Sequence, residues 1–191
     1  MTTDEPQRPD LARELITRAT DSTAHRAKRV RDQLDAVQLG QGRHTEHANT
    51  AVLRRILAEH DWPGHRLVGP DAARAAWRIA LHSDDDPAFQ RAATTLLARA
   101  VQASDALVQH WAHLHDRALI TSGRDQEYGT QLLLHADGIE LCPLRAPESV
   151  DTRRATVGLP PIAVALKAVR RRYTPDGSAD ETPTVVLAGA T

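Results

Sequence analysis

The sequence predicts a mainly α-helical fold, in which one multi-helix domain carries a single small β-hairpin. Apolar residues recur at helical spacing along most of the chain, and the alanine-rich composition favours helix. Only the segment near 128–142 shows a strand pattern, with Asp137-Gly138 suited to a hairpin turn. We therefore expect a disordered N-terminus over residues 1–9, a helical domain over 10–173 and a flexible tail over 174–191.

Start and stop signals divide the domain into seven predicted helices. Pro70 and Pro87 suit the first turn of a helix, and Ser104 or Asp105 is a candidate cap for the helix that follows. Glycine and proline stop signals occur at Leu39–Gly42 and again at Asp61–Gly64. The predicted helices span about residues 9–37, 44–60, 70–80, 87–103, 105–120, 148–156 and 162–172. The fifth is expected to bury an apolar face made of Leu107, Trp111, Leu114 and Ala118.

Composition excludes several classes of function. A formal charge of −1 argues against a positively charged surface for nucleic acid or for an anionic membrane. No apolar segment is long enough to span a bilayer. The single Cys142 excludes an internal disulfide, and the polar start of the chain shows no signal peptide. We expect a cytoplasmic protein without cofactor, nucleic-acid partner or membrane partner. The oligomeric state stays open, with a homodimer among the options.

The ten histidines raise the question of metal binding. His44 and His47 are three residues apart, as are His110 and His113, so that each pair can share a helix face. No HExxH motif and no cysteine pair accompanies them, and solvated surface histidines give the same spacing. We therefore predict no metal site.

His82 is the leading candidate for acid–base chemistry. It stands where a helix is expected to end, close to Asp84, and a neighbouring carboxylate can fix an imidazole tautomer and raise its basicity. The alternative is a loop histidine next to acidic residues that cap the following helix.

A second concentration of polar residues follows the fifth helix. Asp116 and Tyr128 are candidate catalytic groups, and Arg117, Gln126 and Gln131 are candidate substrate-binding groups, suited to an anion or a carbonyl. The alternative is a structural network in which these side chains satisfy backbone groups.

Two further residues carry open assignments. Trp62 is a candidate wall of a substrate pocket, or else a packing wedge at the turn. Cys142 is a nucleophile only if a base reaches it, and inside a hairpin strand it is more often a small buried apolar residue.

The order of these landmarks resembles a bacterial family known only as a domain of unknown function and abundant in actinobacteria. Its members show a Gly-Trp-Pro turn, a Gln-His-Ala-Asp segment, an Asp-Arg step and a Gln-x-Tyr-Gly-Thr-Gln box. Over residues 46–166 the resemblance is carried by Asp61-Trp62-Pro63, Val68-Gly69, Leu81-His82-Ser83-Asp84, Asp116-Arg117, Gln126 to Gln131, and Val150-Asp151 through Pro160. Leu81 and Ser83 depart from the family's Gln and Ala. The resemblance implies that the separate polar elements line one pocket, and it supplies no reaction.

Two functional hypotheses follow. The first is a metal-independent hydrolase, lyase or isomerase that acts on a small polar or peptide-like substrate, such as one in a specialised biosynthetic pathway, by acid–base chemistry centred on His82. The second is a non-catalytic binding, immunity or regulatory protein, in which the same polar residues make a structural network. An enclosed network without a concavity favours the second hypothesis.

Overall fold

The computed structural model describes residues 5–30, 36–135, 138–173 and 186–188. It confirms a mainly α-helical fold with a small β-hairpin. The helices are α1 (Pro9–Val30), α2 (Ala36–His60), α3 (His65–Leu81), α4 (Pro87–Gln102), α5 (Val108–Ile120), α6 (Val150–Thr156) and α7 (Ile162–Tyr173), with a 3₁₀ turn over Pro147–Ser149. The strands are β1 (Leu132–His135), β2 (Gly138–Leu141) and β3 (Val186–Ala188). No helix in these described ranges has the length and apolar character needed to cross a membrane.

The chain groups into two compact units, and the domain limits predicted from sequence stay a prediction. The first unit is Met1–Leu114 and the second is His115–Thr191. The boundary falls inside α5, which the continuous apolar pattern of that helix did not reveal.

The core of the first unit forms where α1, α2 and α3 pack together, with α4 against α2 and α3. The helices meet through aliphatic side chains and alanines, because the chain has few aromatic residues to fill this space. The fully buried large residues of this core include Leu15, Leu53, Ile56, Leu81 and Leu97. Small alanines on α3, such as Ala76 and Ala80 at 0% exposure, allow its neighbours to approach closely.

Two predicted helix boundaries differ from the structure. The glycine-containing segment Leu39–Gly42 lies inside α2 rather than ending a helix. Glycine in a helix costs only about 1 kcal/mol relative to alanine, which tertiary packing can offset. The third helix begins at His65, but Gly69 breaks its regular geometry at φ 80°, so a straight helical segment does open at Pro70. Residues with a side chain rarely adopt this positive φ, which explains why a glycine occupies position 69.

The two ends of the chain are described only in part. Residues 1–4, 174–185 and 189–191 lie outside the described residues. Residues 5–8 are described, and the Arg8 N–H donates to the carbonyl of Leu67 at 2.8 Å, so this part of the predicted disordered N-terminus is tied to α3. The segment Val186–Ala188 pairs in parallel with β1.

The sheet belongs to the second unit. The predicted hairpin forms by antiparallel pairing of β1 with β2, in the register Leu132 opposite Leu141 and His135 opposite Gly138. Strand β3 lies on the other side of β1, which gives the order β2-β1-β3. Residues 136–137 of the predicted turn lie outside the described residues.

The predicted apolar face of the fifth helix is wrong at its first position. Leu107 precedes α5 and is 47% exposed, and Trp111 is only half-buried. Trp77 of α3, at 3% exposure, is the buried tryptophan that packs against α5, through His110.

We expect the helical core to dominate the stability of the first unit. Leu53→Ala removes a side chain of 0% exposure, so it should lower the free energy of unfolding by about 2–5 kcal/mol through the cavity that it leaves. Ile16→Ala on α1, at 41% exposure, is the control and should change it by less than about 1 kcal/mol. Urea denaturation of both variants measures the difference, and equal losses would contradict this core.

Candidate functional site

The first polar assembly lies in the second unit, where Asp116 of α5 holds residues 126–131, here called the polar loop. One carboxylate oxygen of Asp116 accepts the N–H groups of Glu127 at 2.7 Å and Tyr128 at 3.0 Å. The other accepts the N–H of Tyr128 at 3.1 Å and both the N–H and the hydroxyl of Thr130, at 3.0 and 2.9 Å. One buried side chain therefore accepts hydrogen bonds from three backbone N–H groups of the polar loop.

Gln126 closes the polar loop onto the hairpin. Its side-chain carbonyl accepts the N–H of Gln131 at 2.8 Å, and its amide nitrogen donates to the carbonyls of Gln131 at 3.0 Å and Cys142 at 2.9 Å. The Gln126 side chain thus makes hydrogen bonds to backbone groups that a neighbouring strand would otherwise make. The Gln131 amide nitrogen in turn donates to the Thr130 hydroxyl at 2.9 Å.

Two adjacent arginines of α6 satisfy the carbonyls of the polar loop. Arg153 Nε donates to the Glu127 carbonyl at 2.8 Å, and Arg154 Nη1 donates to the Tyr128 carbonyl at 2.6 Å. Arg154 is 3% exposed and also donates to Pro160 O at 2.6 Å. In the sequence these arginines appeared only among the landmarks of a resemblance, because nothing local shows that their partners lie 26 residues away.

Burial and hydrogen bonding shift the pKa of Asp116 in opposite directions. Burial raises the pKa of Asp116 above its usual value, while the hydrogen bonds from Tyr128, Glu127 and Thr130 lower it without cancelling that effect. Asp116, Gln126 and Gln131 are all 0% exposed, and the acceptor positions of Asp116 are occupied by the protein's own donors. The arrangement therefore favours the structural alternative for these residues, and their catalytic or substrate-binding roles stay predictions.

A histidine–carboxylate contact at the edge of the polar loop was missed by the sequence reasoning. His115 Nε2 lies 3.1 Å from Glu127 Oε2, and Arg145 pairs with the other oxygen of Glu127. Burial raises the pKa of Glu127, but hydrogen bonds from Arg145 and His115 outweigh it and leave that pKa below its usual value. The Tyr128 ring meets His115 edge-on at 6.1 Å. His115 and Glu127 are 12 residues apart, and no sequence pattern predicts a contact between them.

The remaining predicted groups of the second unit are buried. Tyr128 is 9% exposed, and burial is the main cause that raises the pKa of its phenol, which keeps it neutral at pH 7. Arg117 is 0% exposed, and its predicted role in binding an anion stays a prediction. Burial also raises the pKa of Cys142, which is 3% exposed, in keeping with a small buried residue rather than a nucleophile.

The second assembly is a small, partly open cleft in the first unit, which we call the His82 cleft. It is lined by Glu46, His47, Thr50, His82, Ser83, Asp84, Asp85 and Asp86. The Ser83 hydroxyl lies 2.8 Å from that of Thr50 and donates to the carbonyl of Ile79 at 2.9 Å, so buried hydroxyls join α2 to the end of α3 below the cleft. His82 and Asp84 thus both line this cleft.

The acidic residues of the His82 cleft have different tasks. Asp86 caps α4 by accepting the Phe89 N–H at 2.9 Å, and it pairs with Arg54. Asp84 accepts a hydrogen bond from the buried Gln90 amide at 3.3 Å, which limits its freedom. Asp86 therefore serves the helix, whereas Asp84 is a positioned carboxylate in the cleft.

The predicted pocket joins residues of both units, and its members fall into two groups. His82 and Asp84 lie in the first unit, whereas Arg117, Tyr128 and Gln131 lie in the second. Their convergence stays a prediction. Trp62 is 5% exposed at the turn before α3, which favours the packing alternative, and its substrate-binding role stays a prediction.

Comparison with known proteins gives a family but no chemistry. A family model described as a family of unknown function, DUF6624, matches residues 9–175. The chain belongs to this family. No curated protein and no solved structure matches it. Within the described ranges of this DUF6624 member, no three His, Cys, Asp or Glu side chains come together as a metal site.

We expect Asp116 to be a structural residue of the second unit. Asp116→Asn replaces an acceptor oxygen by a donor, so at least one backbone N–H of the polar loop loses its partner and the free energy of unfolding should fall by about 2–4 kcal/mol. The matched control Asp125→Asn changes an exposed residue and should cost less than about 0.5 kcal/mol. Chemical denaturation compares them, and a wild-type curve for Asp116→Asn would remove the structural assignment.

Proposed function

We propose that this protein is a metal-independent enzyme that acts on a small polar or peptide-like substrate by acid–base chemistry in the His82 cleft. The observation that carries the proposal is the presence of His82 and Asp84 in one small, partly open cleft, with Glu46 and His47 on its walls. Imidazole and carboxylate groups in reach of the same ligand are the parts that proton transfer requires.

The roles follow from the position of each group. His82 takes a proton from the substrate or returns one to it, and Asp84, held by Gln90, stabilises the imidazolium that forms. Glu46 supplies a second carboxylate in the cleft. A lining rich in carboxylates favours a substrate that presents a neutral polar or cationic group there, such as an amide or an amine. Hydrolase, lyase and isomerase chemistry all use such a proton transfer.

A non-catalytic binding, immunity or regulatory protein is the second candidate. It is supported by the polar loop, whose Asp116, Gln126 and Gln131 are enclosed and bonded to the protein itself. In that case the polar motif stabilises a surface for a partner instead of a reaction. The two candidates differ in whether His82 is needed for chemical turnover.

We test the proposal with His82→Asn, which removes the titrating group. The amide keeps a polar atom close to the position of the buried imidazole nitrogen Nδ1, so the melting temperature should stay near that of the wild type, with a stability cost of about 1 kcal/mol or less. His44→Asn, at an exposed position of α2 outside the cleft, is the control.

Each protein is incubated with a soluble metabolite extract and with a panel of dipeptides, and the products are followed by mass spectrometry. We expect the wild type and His44→Asn to convert the same compound, and His82→Asn to convert it about 10²–10⁴ times more slowly. Equal turnover by His82→Asn would move the chemistry away from this cleft. Saturable binding by the wild type without any conversion would favour the second candidate.

A further inference from the structure

A group of basic residues in the first unit has no counter-ion in the described part of the chain. Arg74 and Arg78 are one turn apart on α3, and Trp77 stands between them in sequence. His110 of α5 stacks on Trp77, with ring centroids 4.2 Å apart and an angle of 9° between the planes. We call Arg74, Arg78 and His110, together with Trp77, the basic cluster.

The neighbouring charges that lower the pKa of His110 are positive. Burial is the main cause that lowers the pKa of His110 to about 4, and the charges of Arg74, His65 and Arg78 add to it. The charge of Arg74 likewise lowers the pKa of Arg78, in addition to burial. Like charges at this spacing on a helix destabilise it by a few tenths of a kcal/mol, so the fold gains nothing from placing them together.

The nearby acids do not neutralise the basic cluster. Asp105 instead accepts the backbone N–H of Arg66 at 2.9 Å and lies 3.4 Å from its guanidinium. Asp71, one turn before Arg74, is exposed. Among the described residues, neither Arg74 nor Arg78 has an ion pair or a side-chain hydrogen bond.

Two buried hydrogen-bond donors of the basic cluster also lack partners in the described part of the structure. They are the indole nitrogen Nε1 of Trp77, a residue at 3% exposure, and the guanidinium nitrogen Nε of Arg78. A buried donor without an acceptor costs about 1–3 kcal/mol, and most such groups in proteins are satisfied. Unsatisfied donors beside uncompensated positive charge indicate an acceptor that carries negative charge.

We propose that the basic cluster is a binding site for an oxyanion, a phosphate or a carboxylate group carried by a small molecule. Guanidinium groups present paired N–H donors that match the oxygens of either anion. His110 at neutral pH is an uncharged imidazole, which can donate one further hydrogen bond. The stacked rings of Trp77 and His110 give the ligand a rigid border.

This site is independent of the proposed acid–base chemistry. It shares no residue with the His82 cleft, whose four carboxylates oppose the binding of an anion. Loss of anion binding would therefore leave the proposed function untouched, and His82→Asn should bind the anion as the wild type does.

Inorganic phosphate and succinate are the two probes, and chloride at matched ionic strength is the reference. The wild type should give saturable chemical-shift changes of the Trp77 indole N–H with at least one probe, and the better probe tells a phosphate site from a carboxylate site. Arg78→Gln and Arg74→Gln should each weaken that binding about tenfold or more. Arg99→Gln, at an exposed position of α4, removes the same charge elsewhere and should bind within about twofold of the wild type.

A second readout separates binding from folding. Saturation with the anion should raise the pKa of His110 by about one unit or more, because the bound charge opposes those of Arg74, Arg78 and His65. The shift is followed by NMR titration of the wild type, which needs no variant to fold. No saturable response to either probe, or equal affinity in folded Arg78→Gln and Arg99→Gln, would overturn the proposal.

Discussion

The second unit depends on the carboxylate of Asp116. It is fully buried, and it accepts hydrogen bonds from the backbone of Glu127, Tyr128 and Thr130. A buried charge is costly unless protein donors replace the lost water, and here they do so on both oxygens. The same bonds fix the polar loop, which in turn places Glu127 against His115 and gives Gln126 its position beside the hairpin. One helix residue therefore organises a segment that has almost no regular structure of its own.

The residues that form the densest polar network are different from the residues that line the partly open cleft. The polar loop combines the residue types expected of an active site, but these groups bond to the protein itself. Gln126 donates to backbone carbonyls, Gln131 donates to the Thr130 hydroxyl, and Arg154 of α6 donates to the Tyr128 carbonyl. The His82 cleft is partly open. A ligand needs groups that are both positioned and accessible, which is why the proposed chemistry is located in the cleft and the proposed structural role in the polar loop.

Local patterns predicted the helices better than the relations between them. The proline at position 87 and the acid before it correctly marked the start of α4, because capping is a local interaction. The glycines of Leu39–Gly42 wrongly predicted a helix end, because helix propensity is weak compared with tertiary packing. The contact of His115 with Glu127 and the stacking of His110 on Trp77 had no sequence signal, because both depend on how separate elements meet. His82 and Asp84 are two residues apart in sequence and both line the cleft, and their chemical roles stay predictions.

The central structural claim is that Asp116 holds the polar loop, and hydrogen exchange of single amides tests it most directly. An N–H bound to a buried carboxylate exchanges only when the structure opens. The account predicts that the amides of Tyr128 and Thr130, although they lie in a loop, exchange as slowly as those of buried helices, while the amide of the exposed Asp125 exchanges much faster. Fast exchange at Tyr128 and Thr130 in the folded protein would contradict it.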